Sequence, residues 1–173
     1  MFNPQKDPIK ITSKDGVKFR KFGAVGETFA EKLLKENEFT DVVDLNKTEK
    51  ENFPFADFSA NKNSKKYLIS VKTRNKYERT GKLNYRYKLG KGVYKKIDDL
   101  LAQDKWNGYT AAWLTIAIEK ETLDAYFGDI ASLNKKRAVK MSPKACKEYN
   151  CLAKGYTHNY NFTPFINIYG PKC

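Results

Sequence analysis

Histidine and cysteine are scarce in this sequence. It has one histidine, His158, and three cysteines, Cys146, Cys151 and Cys173, with no Cys-x-x-Cys pair. A four-ligand zinc site would need all four residues at spacings unlike those of any common zinc module. One histidine also argues against a Ser-His-Asp or Cys-His hydrolase. We therefore expect the cysteines to be free thiols in a reducing compartment.

Long apolar segments are also lacking. The longest apolar run, 111–118, is too short to span a bilayer and is interrupted by Thr115. Residues 1–7 lack the apolar centre of a signal peptide. These absences predict a cytoplasmic protein without a membrane span.

The length fits one domain with a hydrophobic core. The chain has 173 residues, of which 40% are hydrophobic and 14% aromatic, so it is expected to fold rather than stay disordered. No repeat or linker divides it. We expect a single domain over 1–173, with a core at about 22–130 and a C-terminal extension, 131–173, packed on that core.

Positive charge is concentrated in one part of the chain. Lys and Arg number 33 against 20 Asp and Glu, a net charge of +13. Residues 61–100 alone hold 13 basic and 3 acidic side chains, a net charge of +10. Such a block is the electrostatic signature of a polyanion partner, bound with an affinity that falls as salt rises. A basic face without a ligand and an anionic membrane surface are the alternatives, but no basic amphipathic helix or lipidation signal supports the membrane.

Hydrophobic periodicity predicts an α/β protein with a mixed sheet flanked by helices. Steps of three and four predict helices at 23–36 and 93–105, and Ser142-Pro143 opens a short helix. Alternation and apolar runs predict strands at 41–45, 55–60, 67–74, 82–89, 109–118, 123–130 and 165–169. The polar link 75–81 indicates a hairpin between two of these strands.

Four polar residues are candidates for chemistry. Period two places Ser70, Lys72 and Arg74 on one face of their strand. Asp57, in the predicted strand 55–60, can face Lys72 if the strands pair, and Glu27 lies early in the first helix. A carboxylate beside an ammonium in a basic region suits phosphodiester hydrolysis with Mg²⁺, which prefers oxygen ligands.

The motifs around these residues resemble a known nuclease family. Residues 23–27 are Gly-Ala-Val-Gly-Glu, Asp57 follows a Pro-Phe-Ala sequence, and residues 70–74 are Ser-Val-Lys-Thr-Arg. In this order they resemble the PD-(D/E)XK superfamily of restriction enzymes, Holliday-junction resolvases and repair nucleases. Its restriction-endonuclease-like core is a helix, a three-stranded meander, a second helix and a further strand (αβββαβ). The resemblance covers about residues 22–130.

The resemblance implies roles for the site residues. Asp57 would be the central metal ligand, with Glu27 and the backbone carbonyl of Val71 as further ligands. Lys72 would be the catalytic lysine, and Mg²⁺ the metal, with Mn²⁺ as a substitute.

One position departs from the family pattern. The residue two before the lysine is usually Glu or Asp, and here it is Ser70, a poorer Mg²⁺ ligand that we keep among the catalytic candidates. Glu27 is the first candidate to compensate for it, and Glu78 the second.

Six cations near these motifs are candidates for phosphate contacts. They are Arg74, Lys76, Arg79, Lys82, Arg86 and Lys88. Tyr85 and Tyr87 alternate with the last two, so core packing is the favoured role for both tyrosines.

The sequence therefore predicts a Mg²⁺-dependent DNA endonuclease, either restriction-like or resolvase- and repair-like. Many enzymes of this fold cut both strands as dimers, so a homodimer is one expectation. The alternative is a catalytically weak or inactive nuclease-fold DNA-binding module, for which Ser70 is the reason. Charge and tyrosines alone also suggest an RNA-binding protein.

Overall fold

A computed structural model describes residues 13–158, with side chains described from residue 23 onward. The helices are α1 (Ser13–Glu36), α2 (Leu45–Thr48), α3 (Val93–Leu101) and α4 (Pro143–Cys146). The strands are β1 (Thr40–Asp44), β2 (Phe58–Lys62), β3 (Lys65–Asn75), β4 (Arg86–Lys88), β5 (Thr110–Ile118), β6 (Thr122–Asp129), β7 (Ala138–Lys140) and β8 (Asn150–Thr157).

A mixed six-stranded sheet forms the centre of this α/β fold. Its strand order is β1-β2-β3-β5-β6-β8, and a second sheet pairs β4 with β7. β3 and β5 are parallel, while every other neighbouring pair is antiparallel. A parallel pair needs a crossover connection, and α3 lies in that connection. β5 is buried along its length except at Thr110, which explains its almost continuous apolar sequence.

Helix α1 packs closely on β3. Ala30, Leu33 and Leu34 are buried in the core that α1 shares with the sheet. At Gly26 an added Cβ would lie 2.0 Å from the side-chain oxygen of Thr73, so only glycine permits this approach. The contact brings the next residue, Glu27, to the sheet.

The two faces of β3 serve different purposes. Tyr67, Ile69 and Val71 belong to the core on the α1 side. Leu68 instead packs with Leu100 and other residues on the α3 side. Because side chains alternate along a strand, Ser70, Lys72 and Arg74 share the face of Leu68, as the sequence predicts.

Several predicted boundaries need correction. α1 begins ten residues before residue 23, and α3 ends at Leu101 rather than residue 105. Asp57 lies just before β2, not inside a strand at 55–60. The strand expected at 82–89 is reduced to β4.

The predicted hairpin between β3 and the 82–89 segment is also wrong. β5 occupies one edge of β3 from Tyr67 to Asn75, so no further strand can join there. The 76–84 loop is instead closed by a bridge between Tyr77 and Leu83, and β4 pairs with β7.

The C-terminal part of the chain adds to the main sheet. β8 pairs with β6 and extends this sheet, while Leu133, Val139 and Met141 pack against Trp113 and Ala117 on one face of it. α4 begins after Ser142, whose hydroxyl accepts a hydrogen bond from the Ala145 N–H, as its Ser-Pro start predicts. The strand expected at 165–169 lies outside the described residues. Within residues 13–158, no helix is both long enough and apolar enough to cross a membrane.

Candidate active site

Glu27, Asp57 and Lys72, which the sequence predicts as site residues, line one cavity of about 270 Å³. The cavity lies where α1, α2, β3, α3 and the segment before β2 meet. Its full lining is Glu27, Asn46, Asn52, Phe53, Phe55, Asp57, Lys72, Leu89, Val93 and Lys96. We call it the carboxylate–lysine pocket.

A tight turn positions Asp57 in the carboxylate–lysine pocket. Phe55 has a positive φ of 60°, and the Ala56 N–H donates to the Pro54 carbonyl at 2.6 Å. This is the geometry of a γ-turn, which is strained for a residue other than glycine, and such strain concentrates at functional sites. Asp57 then donates its N–H to the Ile69 carbonyl at 2.8 Å, continuing the β2–β3 ladder.

Hydrogen bonds fix both oxygens of the Asp57 side chain. Oδ2 accepts from the Val71 N–H at 2.7 Å, and Oδ1 accepts from Asn46 Nδ2 at 3.3 Å. Asn46 is itself held, because its Oδ1 accepts from the Phe53 N–H at 2.9 Å. Burial nevertheless raises the pKa of Asp57, although the Val71 N–H and the Lys72 ammonium act in the opposite direction.

Glu27 is half-buried and carries a perturbed carboxyl. Burial, together with the negative charges of Asp57 and Asp44, raises the pKa of Glu27 from 4.5 to about 7. A hydrogen bond to Asp57 favours the protonated form further. The Asp57 carboxyl therefore favours protonation of Glu27 when no cation offsets the two charges.

Lys72 places an ammonium beside these carboxyls. It directly follows Val71, whose N–H holds Asp57. Burial lowers the pKa of Lys72; Asp57 opposes the shift, and the positive charges of Arg74 and Lys96 add to it. The pocket thus pairs two crowded carboxyls with a partly desolvated lysine.

The oxygen atoms of this pocket suit a hard divalent cation. Mg²⁺ binds proteins through one or two carboxylates and completes its shell with water and substrate phosphates. Glu27 and Asp57 supply two carboxylates that line the same pocket, and such a cation would offset their mutual repulsion. The Val71 carbonyl points to the same edge of β3 as the Val71 N–H, because both groups of a strand residue share an edge. β2 pairs with β3 only as far as Ile69, so this edge faces Asp57.

Among the described residues, Glu27 and Asp57 are not joined by a further acidic side chain that is free to bind a metal ion in this pocket. A group of three or more His, Cys, Asp or Glu side chains able to hold a metal ion does not occur among residues 13–158. Asp44 lies near both carboxyls, but its Oδ1 accepts from the Asn46 and Lys47 N–H groups and caps α2. Glu78 is exposed in the 76–84 loop and does not line the pocket. The structure therefore brings in Glu27, not Glu78, as the second carboxylate.

Ser70 is present on β3 but does not line the pocket. Its side chain is 1% exposed, and it is in register with Trp113 of β5. It lies on the same face of the strand as Lys72, two residues earlier. This buried position suits a small residue.

The six predicted phosphate-contact cations have two different environments. Lys76 forms ion pairs with Glu119 at 2.9 Å and Asp124 at 3.3 Å, so its ammonium already has carboxylate partners. The other five side chains are exposed: Arg74, Arg79, Lys82, Arg86 and Lys88.

Three polar residues of the pocket have no counterpart in the sequence prediction: Asn46, Asn52 and Lys96. Asn46 orients Asp57, and Lys96 contributes a second positive charge from α3. Lys96 follows Lys95 on an exposed helix face, so no pattern distinguishes it from an ordinary solvated lysine.

Comparison with known proteins gives no match. No protein-family model matches the chain, and neither a curated protein nor a solved structure matches it. We therefore infer the function from the geometry and chemistry of the pocket.

Proposed function

We propose that this protein is a Mg²⁺-dependent DNA endonuclease with a restriction-endonuclease-like core. The observation that carries the proposal is the convergence of Glu27, Asp57 and Lys72 in the carboxylate–lysine pocket. These residues are far apart in the sequence and come from α1, the segment before β2, and β3. Their types and order match the carboxylates and lysine of the PD-(D/E)XK superfamily.

The order and pairing of the elements support this proposal. Helix α1 is followed by the antiparallel strands β1, β2 and β3, then by α3, and then by β5 parallel to β3; the short α2 is inserted between β1 and β2, and β4 before α3. The superfamily core has the same sequence of a helix, a three-stranded meander, a helix and a strand. Strand β6 continues the sheet beyond β5.

The pocket residues divide the work of phosphodiester hydrolysis. Asp57 and Glu27, with the Val71 carbonyl, would hold Mg²⁺, and Mn²⁺ would substitute for it. When bound, such a metal polarises the phosphate and lowers the pKa of a bound water. Lys72 orients the attacking water and stabilises the negative charge that develops on the phosphate. Asn46 and the Val71 N–H keep Asp57 in position throughout.

The surrounding charge supports a DNA substrate. The exposed cations Arg74, Arg86 and Lys88 follow the chain from Lys72 through β4. The charge of Arg74 also reaches Lys72, so Arg74 lies near the pocket. Phosphate contacts of this kind position a duplex without reading its sequence.

Cleavage assays of purified protein test the proposal. Supercoiled, linear, branched and single-stranded DNA are incubated in Mg²⁺ with the wild type, Asp57→Ala and Lys72→Ala. We expect both variants to lose cleavage while their folding and DNA binding persist. Lys65→Ala, an exposed lysine near the opposite end of β3, is the matched control and should cut like the wild type. Full cutting by both pocket variants would overturn the nuclease assignment.

A DNA-binding module that lacks catalysis is the second candidate. Ser70 favours it, because β3 carries a buried hydroxyl-bearing residue, outside the pocket lining, at the position where the superfamily usually has a carboxylate. This candidate predicts binding with no products from any of the four DNA forms in Mg²⁺ or Mn²⁺. Competition between DNA and RNA at one salt concentration tests the RNA-binding alternative.

A further inference from the structure

A basic groove lies on the small β4–β7 sheet. It is a cavity of about 630 Å³ lined by Tyr85, Arg86, Lys135, Lys136, Arg137, Ala138 and Lys140. The lining holds five cations and no carboxylate. Within the described part of the chain, none of the five forms an ion pair. We call this cavity the ribbon groove.

Positively charged side chains lie opposite each other in the ribbon groove. β4 and β7 are antiparallel, and Arg86 lies directly opposite Lys140. Cross-strand pairs of like charge destabilise a sheet. A polyanion bound in the groove would turn this repulsion into attraction.

The segment that carries Lys135 and Lys136 is held against α3 before any ligand binds. Asn134 and Lys135 both have positive φ angles, of 51° and 65°. The Lys135 ammonium lies 4.9 Å from the ring centroid of Tyr94, and the Tyr94 hydroxyl donates to the Lys136 carbonyl. These contacts tie the 134–136 segment to α3. The groove therefore loses less conformational entropy on binding than a flexible basic loop would.

Tyr85 adds a different chemistry to the ribbon groove. Its side chain is 50% exposed. Alternation along the strand predicts core packing for both Tyr85 and Tyr87. This prediction is correct for Tyr87, which is buried, and wrong for Tyr85. A tyrosine hydroxyl can donate to a phosphate oxygen. Its exposure among five cations fits contact with a phosphate backbone.

We propose that the ribbon groove binds the phosphate backbone of the DNA duplex whose scissile phosphate occupies the carboxylate–lysine pocket. This inference rests on the proposed function. The two sites share one extended segment, because Tyr85 lines the groove and Leu89 lines the pocket. Four residues at about 3.3 Å each separate them by about 13 Å. That distance corresponds to about 4 base pairs at about 3.4 Å per pair, so one bound duplex can contact both sites.

Affinity measurements on neutralised variants test the ribbon groove. Binding of a duplex DNA is measured without divalent metal, over a range of salt, for the wild type, Lys140→Gln and the double variant Lys135→Gln/Lys136→Gln. We expect affinity to fall about tenfold or more for the double variant. The slope of log affinity against log salt should flatten by about 0.9 for each phosphate that the variant no longer neutralises. The control, Lys65→Gln/Lys66→Gln, removes two cations from the far end of β3 and should bind like the wild type.

A stability measurement separates binding from folding. Lys140→Glu places a carboxylate opposite Arg86, so the melting temperature should rise while DNA affinity falls. Unchanged affinity and salt slope in all groove variants would overturn the proposal. So would a preference of the wild-type groove for duplex RNA or anionic vesicles over duplex DNA.

These outcomes are independent of the nuclease test. If the groove variants lose affinity but Asp57→Ala still cuts, DNA binding by the groove stands, while the catalytic assignment and the link between the groove and the pocket fail. If Asp57→Ala loses cleavage but the groove variants bind normally, only the groove assignment fails.

Discussion

The Asp57 carboxylate accepts a hydrogen bond of 2.7 Å from the N–H of Val71, the residue directly before Lys72. If β2 and β3 continued as an antiparallel ladder, the Val71 N–H would bond to a backbone carbonyl of the segment before β2. The Asp57 carbonyl instead accepts a hydrogen bond from the Leu45 N–H. The side chain of Asp57 thus takes the place of a missing strand partner. This substitution fixes the carboxylate beside the lysine through the backbone of β3.

Asp57→Asn tests the charge at this position separately from its hydrogen bonds. The amide keeps an oxygen that can accept from the Val71 N–H, so the fold should persist. Mg²⁺-dependent cleavage should be lost, because the central carboxylate of the metal site is gone. The pKa of Glu27 should also fall from about 7 toward 4.5, since the charge of Asp57 and its hydrogen bond both raise it. An NMR titration of Glu27 measures this shift, and an unchanged Glu27 pKa would show that the two carboxyls do not interact.

Glu27→Gln should stabilise the protein at alkaline pH in the absence of metal. Below pH 4.5 the Glu27 carboxyl is protonated in both folded and unfolded chains. Between pH 4.5 and about 7 the unfolded chain loses this proton while the folded chain retains it, so stability falls as pH rises. A fully buried carboxyl with this shift would cost about 3 kcal/mol, and screening of the half-exposed group reduces this to about 1–2 kcal/mol.

Urea unfolding at pH 4 and pH 8 measures this effect. The variant should exceed the wild type in unfolding free energy at pH 8 and equal it at pH 4. An equal difference at both values would show that Glu27 does not carry the perturbed charge. Cleavage should be lost in the same variant, because a carboxylate of the metal site is removed.

Local sequence patterns predict much of the fold. The three- and four-residue spacing of apolar side chains identifies α1, and alternation identifies β3 and places Lys72 on the correct face. The apolar run of β5 identifies a central strand. Each of these patterns reflects burial along a single element, so neighbouring residues are enough to reveal it.

The parts that the sequence does not reveal depend on contacts between distant residues. β7 becomes a strand by pairing with β4, about fifty residues earlier, and neither has an apolar run long enough to predict it. Asp57 is displaced from its expected strand by the turn at Phe55, whose positive φ no propensity indicates. Lys96 joins the pocket only because α3 packs over the sheet.

Gly26→Ala should disturb the pocket through the packing of α1. The added methyl group would meet Thr73 within 3 Å, so the helix must shift and carry Glu27 with it. We expect a loss of about 1–3 kcal/mol in unfolding free energy and a lower cleavage rate. Gly23→Ala is the matched control, because within the described residues no atom beyond its own helix turn lies within 4 Å of its added Cβ. That change should be neutral or stabilising by up to about 1 kcal/mol, and equal effects of the two changes would contradict the packing role of Gly26.

Asn46→Ala should weaken metal binding without unfolding the protein. The change removes the 3.3 Å hydrogen bond to Asp57 Oδ1 and frees the carboxylate to rotate. Loss of a group that orients a metal ligand commonly costs about 10–100-fold in metal affinity or activity. The Mg²⁺ concentration for half-maximal cleavage should rise, and saturating Mg²⁺ should restore much of the rate. A rate that Mg²⁺ does not restore would place Asn46 in another role.

Lys76→Met should reduce stability rather than DNA affinity. Lys76 is ion-paired with Glu119 and with Asp124, which is 6% exposed and also accepts from the Gly155 N–H at 2.8 Å. Burial acts to raise the pKa of Asp124, but the Gly155 N–H and the ammonium groups of Lys154 and Lys76 hold it below 3.8. Removing one of these partners should cost about 1–3 kcal/mol at pH 7.

The pH dependence identifies the lost partner of Lys76. A lowered carboxyl pKa contributes stability that is present above pH 3.8 and is lost as pH falls through the folded-state pKa. In Lys76→Met that folded-state pKa rises, so the stability lost between pH 7 and pH 3 should be smaller than in the wild type. The matched control is Lys82→Met, in the same loop, where the exposed lysine has no ion pair with a described residue. That control should keep its stability and bind DNA more weakly. If Lys76→Met behaved in the same way, Lys76 would be a phosphate-contact residue, as the sequence predicts.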